Sequence, residues 1–302
     1  MSDPGQLSAA VIGLGSMGLG MARSIARAGL SLKAFDVNPK ALEAIADVGQ
    51  GASDIVSATR DCDIVVCVVV NAKQTRDVLL GPQGAVQAMK PGGVVVSCAT
   101  MSPEEARAIG AAVSEAGRLY LDAPISGGPA KAASGQMTVM ASGTSDAFLR
   151  ARPALEAMAG KIYELGDEAG IGASYKMINQ MLAGVHIAAA CEAMSFAAKL
   201  GLDLKKVFEV ITASAGNSWM FENRVPHILE GDYSPKSAVS IFTKDLGIIS
   251  DMGRTEKFPL SLSAAALQMF LMTAAAGMER DDDASVARLL AQIAGVDLPK
   301  PV

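Results

Sequence analysis

Ala9-Ala10-Val11-Ile12-Gly13-Leu14-Gly15-Ser16-Met17-Gly18 decides the fold: four apolar residues run into three glycines spaced G-x-G-x-x-G. In a chain with 30 glycines that spacing is weak by itself. Its surroundings strengthen it, because the apolar run reads as a strand and residues 17–28 read as an amphipathic helix stopped by Gly29. A second apolar run, 32–35, ends on Asp36, about where a dinucleotide-binding turn keeps an acid for the adenosine ribose. In such a turn Gly13 permits the tight bend, Gly15 lets backbone N–H groups approach a pyrophosphate, and Gly18 lets helix and strand pack closely. Met17 stands at the start of the helix, whose N-terminus supplies the anion site. The Asp36 carboxylate would repel a 2′-phosphate, so NAD is expected rather than NADP; Lys40 and Arg60 are the nearby cations that would oppose this. Asp36 also reads as a plain turn residue ahead of Asn38-Pro39.

Outward from the turn, apolar runs at 64–70, 94–98, 119–122, 138–141 and 162–165 alternate with helical patterns such as 40–48, opened by Pro39, and 106–116, opened by Pro103, Glu104 and Glu105. That alternation predicts an α/β Rossmann domain with a doubly wound, largely parallel sheet. Asn71 and Thr100 fall at carboxyl ends of strands, where open α/β sheets bind ligands; each reads equally as a cap of the following helix. After Gly166 the period changes, and residues 174–200 form one Ala-rich helical pattern. Further helices are expected at 204–213, 239–252, 260–276 and 284–294, broken by Gly216, Gly231, Pro235, Pro259 and Gly277. The expected organisation is a cofactor domain over residues 1–170 and an all-α domain over 171–302, entered through a long interdomain helix. The acidic run 281–283 reads as a solvated loop leading into the last helix.

Composition narrows the class. The 302 residues suit two cores, and a formal charge of -5 provides no basic footprint for nucleic acid. Cys62, Cys67, Cys98 and Cys191 show no C-x-x-C spacing, and with only His186 and His227 there is no zinc pattern, so no metal is expected. The four thiols read as free groups in a reducing cytoplasm. Met1-Ser2-Asp3-Pro4 lacks a basic leader, and the apolar stretch 181–191 holds His186 and is short for a membrane span. A soluble protein handling a small molecule is expected.

Four ordered motifs carry a resemblance that runs nearly end to end: the glycine turn continuing to Met21; Asp122-Ala123-Pro124-Ile125-Ser126-Gly127-Gly128; Gly172-Ala173-Ser174-Tyr175-Lys176-Met177-Ile178-Asn179; and Lys244-Asp245-Leu246. Together they resemble the β-hydroxyacid dehydrogenase family, whose members include enzymes oxidising 3-hydroxyisobutyrate or reducing tartronate semialdehyde. Within it, runs 179–190 and 214–227 look most like the members that oxidise L-threonate. The resemblance implies an NAD-dependent oxidoreductase acting on the CH–OH group of a small hydroxy acid, here an aldonic acid oxidised at C2 to the 2-oxo acid. A homodimer or homotetramer is implied as well. The family's G-x-x-x-K-x-x-N motif implies that Lys176 is the proton-transfer group, with Asn179 beside it. On a helix Lys176, Asn179 and Gln180 share one polar patch. An alcohol gives up its hydroxyl proton as hydride leaves carbon, so a base must touch that oxygen. A lysine serves only if burial or neighbouring positive charge, Lys244 and an oxidised nicotinamide included, disfavours its ammonium.

By the same resemblance Ser126, Gly127 and Gly128 receive the substrate carboxylate and Lys244 closes over the cofactor, while Asp245 is structural. Two departures stand out. Gln180 replaces a common Asn, which suggests an altered polar contact to substrate, and Ser97-Cys98-Ala99-Thr100 replaces a common Asp-x-Ser-Thr. His186 reads either as a substrate contact or as a core histidine; Asn217, Ser218, Trp219 and Phe221 read either as pocket lining or as packing. A non-catalytic NAD-binding sensor would keep Gly13, Gly15, Gly18 and Asp36 but has no use for Lys176, Asn179 and Lys244 together.

Overall fold

The runs Ile64-Val65-Val66-Cys67 and Val94-Val95-Val96 are apolar at every position because their strands are covered on both faces. Ile64, Val66, Val94 and Val96 pack into one core layer, and Val65, Cys67 and Val95 into the layer on the opposite side. The computed structural model describes residues 7–301; the N-terminal Met1-Ser2-Asp3-Pro4 reading lies outside them. The chain separates into two compact units, residues 1–176 and 177–302.

In the first unit β1 (Ser8–Ile12), α1 (Gly18–Arg27), β2 (Ser31–Phe35), α2 (Pro39–Glu43), β3 (Gln50–Gly51), α3 (Ile55–Thr59) and β4 (Ile64–Cys67) come first. After them come α4 (Ala72–Leu80), α5 (Ala85–Ala88), β5 (Val94–Ser97), α6 (Pro103–Glu115) and β6 (Leu119–Asp122). The six strands pair in parallel in the order β3-β2-β1-β4-β5-β6, the Rossmann order, so the switch point lies between β1 and β4.

The runs at 138–141 and 162–165 do not extend this sheet, as their alternation suggested. They belong to a separate three-stranded sheet of β7 (Ile125–Ser126), β8 (Met137–Ala141) and β9 (Ala159–Glu164), with α7 (Gly128–Ser134) and α8 (Ser145–Met158) between them. β7 runs antiparallel to β8, and β8 parallel to β9. The chain turns out of the first sheet at Pro124, which has no N–H to donate to a ladder; instead its carbonyl accepts from Met140 N at 2.9 Å.

α9 (Ile171–Lys199) runs through the point of division, which lies six residues beyond the expected boundary, because its first turn is bonded into the first unit. By length and composition α9 and the segment Ser261–Met278 are each able to cross a membrane, longer than the 11-residue stretch singled out above. One face of α9 is instead core: Met177, Ile187, Cys191 and Met194 pack with residues of α11 (Trp219–Glu230), α12 (Val239–Thr255), α13 (Ser261–Thr273) and α14 (Val286–Ala294); α10 (Leu204–Thr212) completes the helices. Phe242 and Phe270 stack there with centroids 5.1 Å apart.

The run 281–283 is not a solvated loop. Asp282 and Asp283 are fully buried, and side chains of α11 meet both. Arg224 grips Asp283 with Nε and Nη2 at 2.6 and 3.0 Å, and His227 Nδ1–H donates to Asp282 Oδ1 at 2.8 Å while Lys236 Nζ donates to the other ring nitrogen at 3.0 Å. Burial raises Asp282, yet hydrogen bonds from His227 and from the backbone N–H groups of Ala284 and Lys236 hold its carboxyl below the usual carboxylate value.

Candidate active site

At the switch point the glycine turn is built as the spacing requires. Gly13 sits at φ +95°, and a Cβ there would lie 2.4 Å from the Val68 carbonyl oxygen; one on Gly18 would lie 1.9 Å from that of Gly13. Both glycines are therefore demanded by the fold. Gly15 is different: a Cβ there would meet nothing within 4 Å, so its smallness leaves room for something other than the chain. Met17 precedes α1 without a side-chain cap, and no acid stands in the first turn, so the helix end keeps its positive dipole for an anion. Asp36 Oδ2 accepts from Leu14 N at 2.6 Å and Oδ1 from Asn38 N at 2.7 Å. The acid thus shapes its own turn and also lies against the glycine loop. Glycine cradle, uncapped helix end and adjacent acid fit a dinucleotide.

The two other strand-end residues separate. Asn71 caps α4, its Oδ1 accepting from Gln74 N at 2.9 Å, so that oxygen is committed to the helix. Thr100 is not a cap, since Ser102 takes that role for α6, accepting from Glu105 N at 3.2 Å.

Ser126 ends β7 opposite Thr138, and Gly127 and Gly128 follow at φ +141° and +80°, a backbone course that side-chain-bearing residues avoid. This loop is locked to the cofactor turn through α1 and α7. Gly20 lets the helices touch, since a Cβ on it would come within 2.6 Å of Ala133 N, and Ser24 Oγ and Arg27 Nη2 donate to the Ala132 and Ala133 carbonyls at 3.2 and 2.6 Å. Sequence reasoning passed over Gly20, whose only signal was its place inside the glycine-rich motif.

Lys176 lies one turn into α9 and is 6% exposed. The first turn is held from below: Asp122 Oδ2 accepts from Gly170 N and Ala173 N at 2.9 and 2.8 Å, and Ser142 Oγ from Gly172 N at 2.9 Å. Burial pushes Asp122 up to about 6, against the pull of those two amides and of Arg107. Asp122 stood inside a quoted motif without a role.

In the second unit Asn179 Nδ2 donates to Gln180 Oε1 at 3.0 Å, Gln180 Nε2 to Asp245 Oδ2 at 2.5 Å, and Lys244 Nζ to Asp245 Oδ1 at 2.5 Å. Gln180, expected on substrate, has both ends of its carboxamide engaged by protein. Lys244 is ion-paired with Asp245. His186 is half-buried farther along α9. Asn217 and Ser218 build the start of α11, with Ser218 Oγ accepting from Phe221 N at 3.0 Å, and Phe221 is core, stacked on Phe208; Trp219 is exposed. Among the described residues no group of three or more His, Cys, Asp or Glu side chains is placed to hold a metal.

The family model described as the NAD binding domain of 6-phosphogluconate dehydrogenase matches residues 8–166, and that described as the NAD-binding domain of NADP-dependent 3-hydroxyisobutyrate dehydrogenase matches 170–290. The chain belongs to the 3-hydroxyisobutyrate dehydrogenase-like β-hydroxyacid dehydrogenases. Like other members of that family it is a nicotinamide-dependent oxidoreductase acting on the CH–OH group of a hydroxy acid. It is 53% identical to an L-threonate dehydrogenase of Cupriavidus necator over 96% of this chain and 97% of that protein. A second L-threonate dehydrogenase, from Pectobacterium atrosepticum, is 46% identical over 99% of this chain and 98% of its own length. The crystal structure of 3-hydroxyisobutyrate dehydrogenase from Salmonella typhimurium superposes with a TM-score of 0.90 at 47% identity, covering 94% of this chain and all of that one.

Proposed function

We propose that this dehydrogenase oxidises L-threonate at C2 to the 2-oxo acid, with NAD as cofactor and Lys176 as general acid/base. The observation that carries the chemistry is a buried lysine on a helix whose first turn is bonded down; the substrate rests on the 53% identity to the Cupriavidus enzyme. When bound, the dinucleotide supplies the hydride acceptor. Lys176 Nζ takes the substrate's hydroxyl proton as the C2–H bond breaks, and passes it to solvent; in reverse the ammonium returns it to the carbonyl oxygen. Gly127 and Gly128 turn backbone N–H groups to the carboxylate beside the Ser126 hydroxyl. Asn179 meets the substrate's polar end, while Gln180, bonded to Asp245, holds Asn179 in place. Thr100 and Lys244 act on the cofactor side, and Asp36 favours NAD by repelling a 2′-phosphate. His186 lies ten residues after Lys176, a rise of ~15 Å along the helix, and stands outside the reacting centre.

The enzyme works in the cytoplasm, in keeping with four free, buried thiols, and as a homo-oligomer. A second copy covers the exposed apolar stripe of Tyr175, Ile178, Leu182 and Phe196 along α9. Oxidation of 3-hydroxyisobutyrate is the second reading, favoured by the likeness to the Salmonella structure. A panel of L-threonate, 3-hydroxyisobutyrate and L-serine with NAD or NADP, and of tartronate semialdehyde with NADH or NADPH, read by reduced-cofactor absorbance, separates them. L-Threonate with NAD should give the highest kcat/KM; no turnover of L-threonate rejects the assignment.

A further inference from the structure

We propose that Asp122 is the positioning residue for Lys176: with the Ser142 hydroxyl it fixes the first turn of α9 and so sets where Lys176 Nζ stands. The inference rests on the reading of Lys176 as the proton-transfer group. Asp122 is a carboxylate 1% exposed at the end of β6. Among the described residues its only side-chain hydrogen bonds go to Gly170 N and Ala173 N; Oδ1 has no partner there. A buried charge is costly, and Ser or Asn would cap a helix without that cost. What an ionised oxygen adds is a stronger, charge-assisted grip on two orphan amides at the positive end of a 29-residue helix.

The fit leaves no slack. Gly170 bends at φ +94°, and a Cβ on Gly172 would lie 2.4 Å from the Met140 carbonyl oxygen and 2.8 Å from that of Asp122. The turn is pressed onto the ends of β6 and β8 while the carboxylate and hydroxyl hold its amides. Lys176 follows Ala173 by three residues, so a shift or fraying of that turn moves the amine directly. The ionisable groups facing Asp122 are Arg107 of α6, which favours its charge, and Tyr120 of β6 and Cys98 after β5, which become harder to ionise beside it. Burial holds the Asp122 carboxyl up at about 6 while the two amides and Arg107 pull it down, so below that value it loses the charge that strengthens those two bonds but keeps an oxygen that accepts them.

Asp122→Ala and Asp122→Asn, with Lys176→Ala alongside, test this by amide hydrogen exchange at Gly170 and Ala173, by NAD affinity in the absence of substrate, and by kcat. Asp122→Ala should lower protection of those amides ~10-fold and kcat by ~10- to 100-fold, with NAD affinity unchanged. Asp122→Asn keeps an accepting oxygen without an ionisation: in neutral buffer its protection and kcat should fall between those of Asp122→Ala and wild type, and neither should show the fall below about pH 6 that takes wild type toward the Asn level. Full protection and kcat in Asp122→Ala overturn the proposal, as does lost kcat with protection intact. If Asp122→Ala does not fold, Asp122→Asn decides, and a wild-type acid limb in that variant overturns it. Lys176→Ala should keep the protection and lose turnover. Turnover retained there would end the Lys176 reading, while the exchange data still decide whether Asp122 holds the turn.

Discussion

Asp36 accepts from two backbone N–H groups, those of Leu14 and Asn38, and so ties the glycine loop to the turn after β2. Removing its charge removes the repulsion of a 2′-phosphate without removing the acceptor. Asp36→Asn should narrow the NAD to NADP ratio of kcat/KM by ~10-fold or more, and an unchanged ratio would show that Asp36 does not choose the cofactor. Gly15 and Gly18 differ in the same testable way. Gly15→Ala adds a Cβ into open space, so stability should stay within about 0.5 kcal/mol while NAD binding weakens. Gly18→Ala drives a Cβ to 1.9 Å from the Gly13 carbonyl oxygen and should destabilise the fold by roughly 1–3 kcal/mol, read from urea midpoints. At this scale the sequence was legible wherever a residue's role is local: Gly13 and Gly18 are packed as closely as the spacing of the turn required. Asn71 shows the limit, since a strand-end amide reads equally as ligand or cap until Gln74 N is seen bonded to it.

Elements were legible in proportion to their period. Strands β1, β4 and β5 announce themselves as apolar runs buried on both faces, whereas β3 and β7, two residues each, have no period to read. α11 escaped notice because Pro226 lies inside it and its cap, Ser218, follows a Gly and an Asn that look like a loop. The burial of Asp282 and Asp283 could not be read locally, because their partners His227 and Arg224 lie 55 and 59 residues away. Those pairs join α11 to the start of α14, and removing one partner strands a charge in the core. Arg224→Ala should cost about 3–5 kcal/mol in chemical denaturation, and Arg224→Met with Asp283→Leu should recover most of it. A loss below about 1 kcal/mol would make the pair a bystander.

For the whole molecule, the division into a cofactor unit and a helical unit was visible as a change from alternating to purely helical periodicity, with its exact place displaced into α9 by the bonds from Asp122 and Ser142. The face of α9 bearing Ile178, Leu182 and Phe196 is apolar and exposed, the opposite of what a lone surface helix shows. If a second copy covers it, Leu182→Glu with Phe196→Glu should shift the sedimenting species toward monomer; an unaltered oligomer would place the interface elsewhere. Turnover by Lys176→Ala, with NAD binding measured in the same sample, tests the chemistry most directly. Loss of ~100-fold or more in kcat for L-threonate oxidation with NAD affinity intact is the expected result. Turnover at the wild-type rate would contradict it.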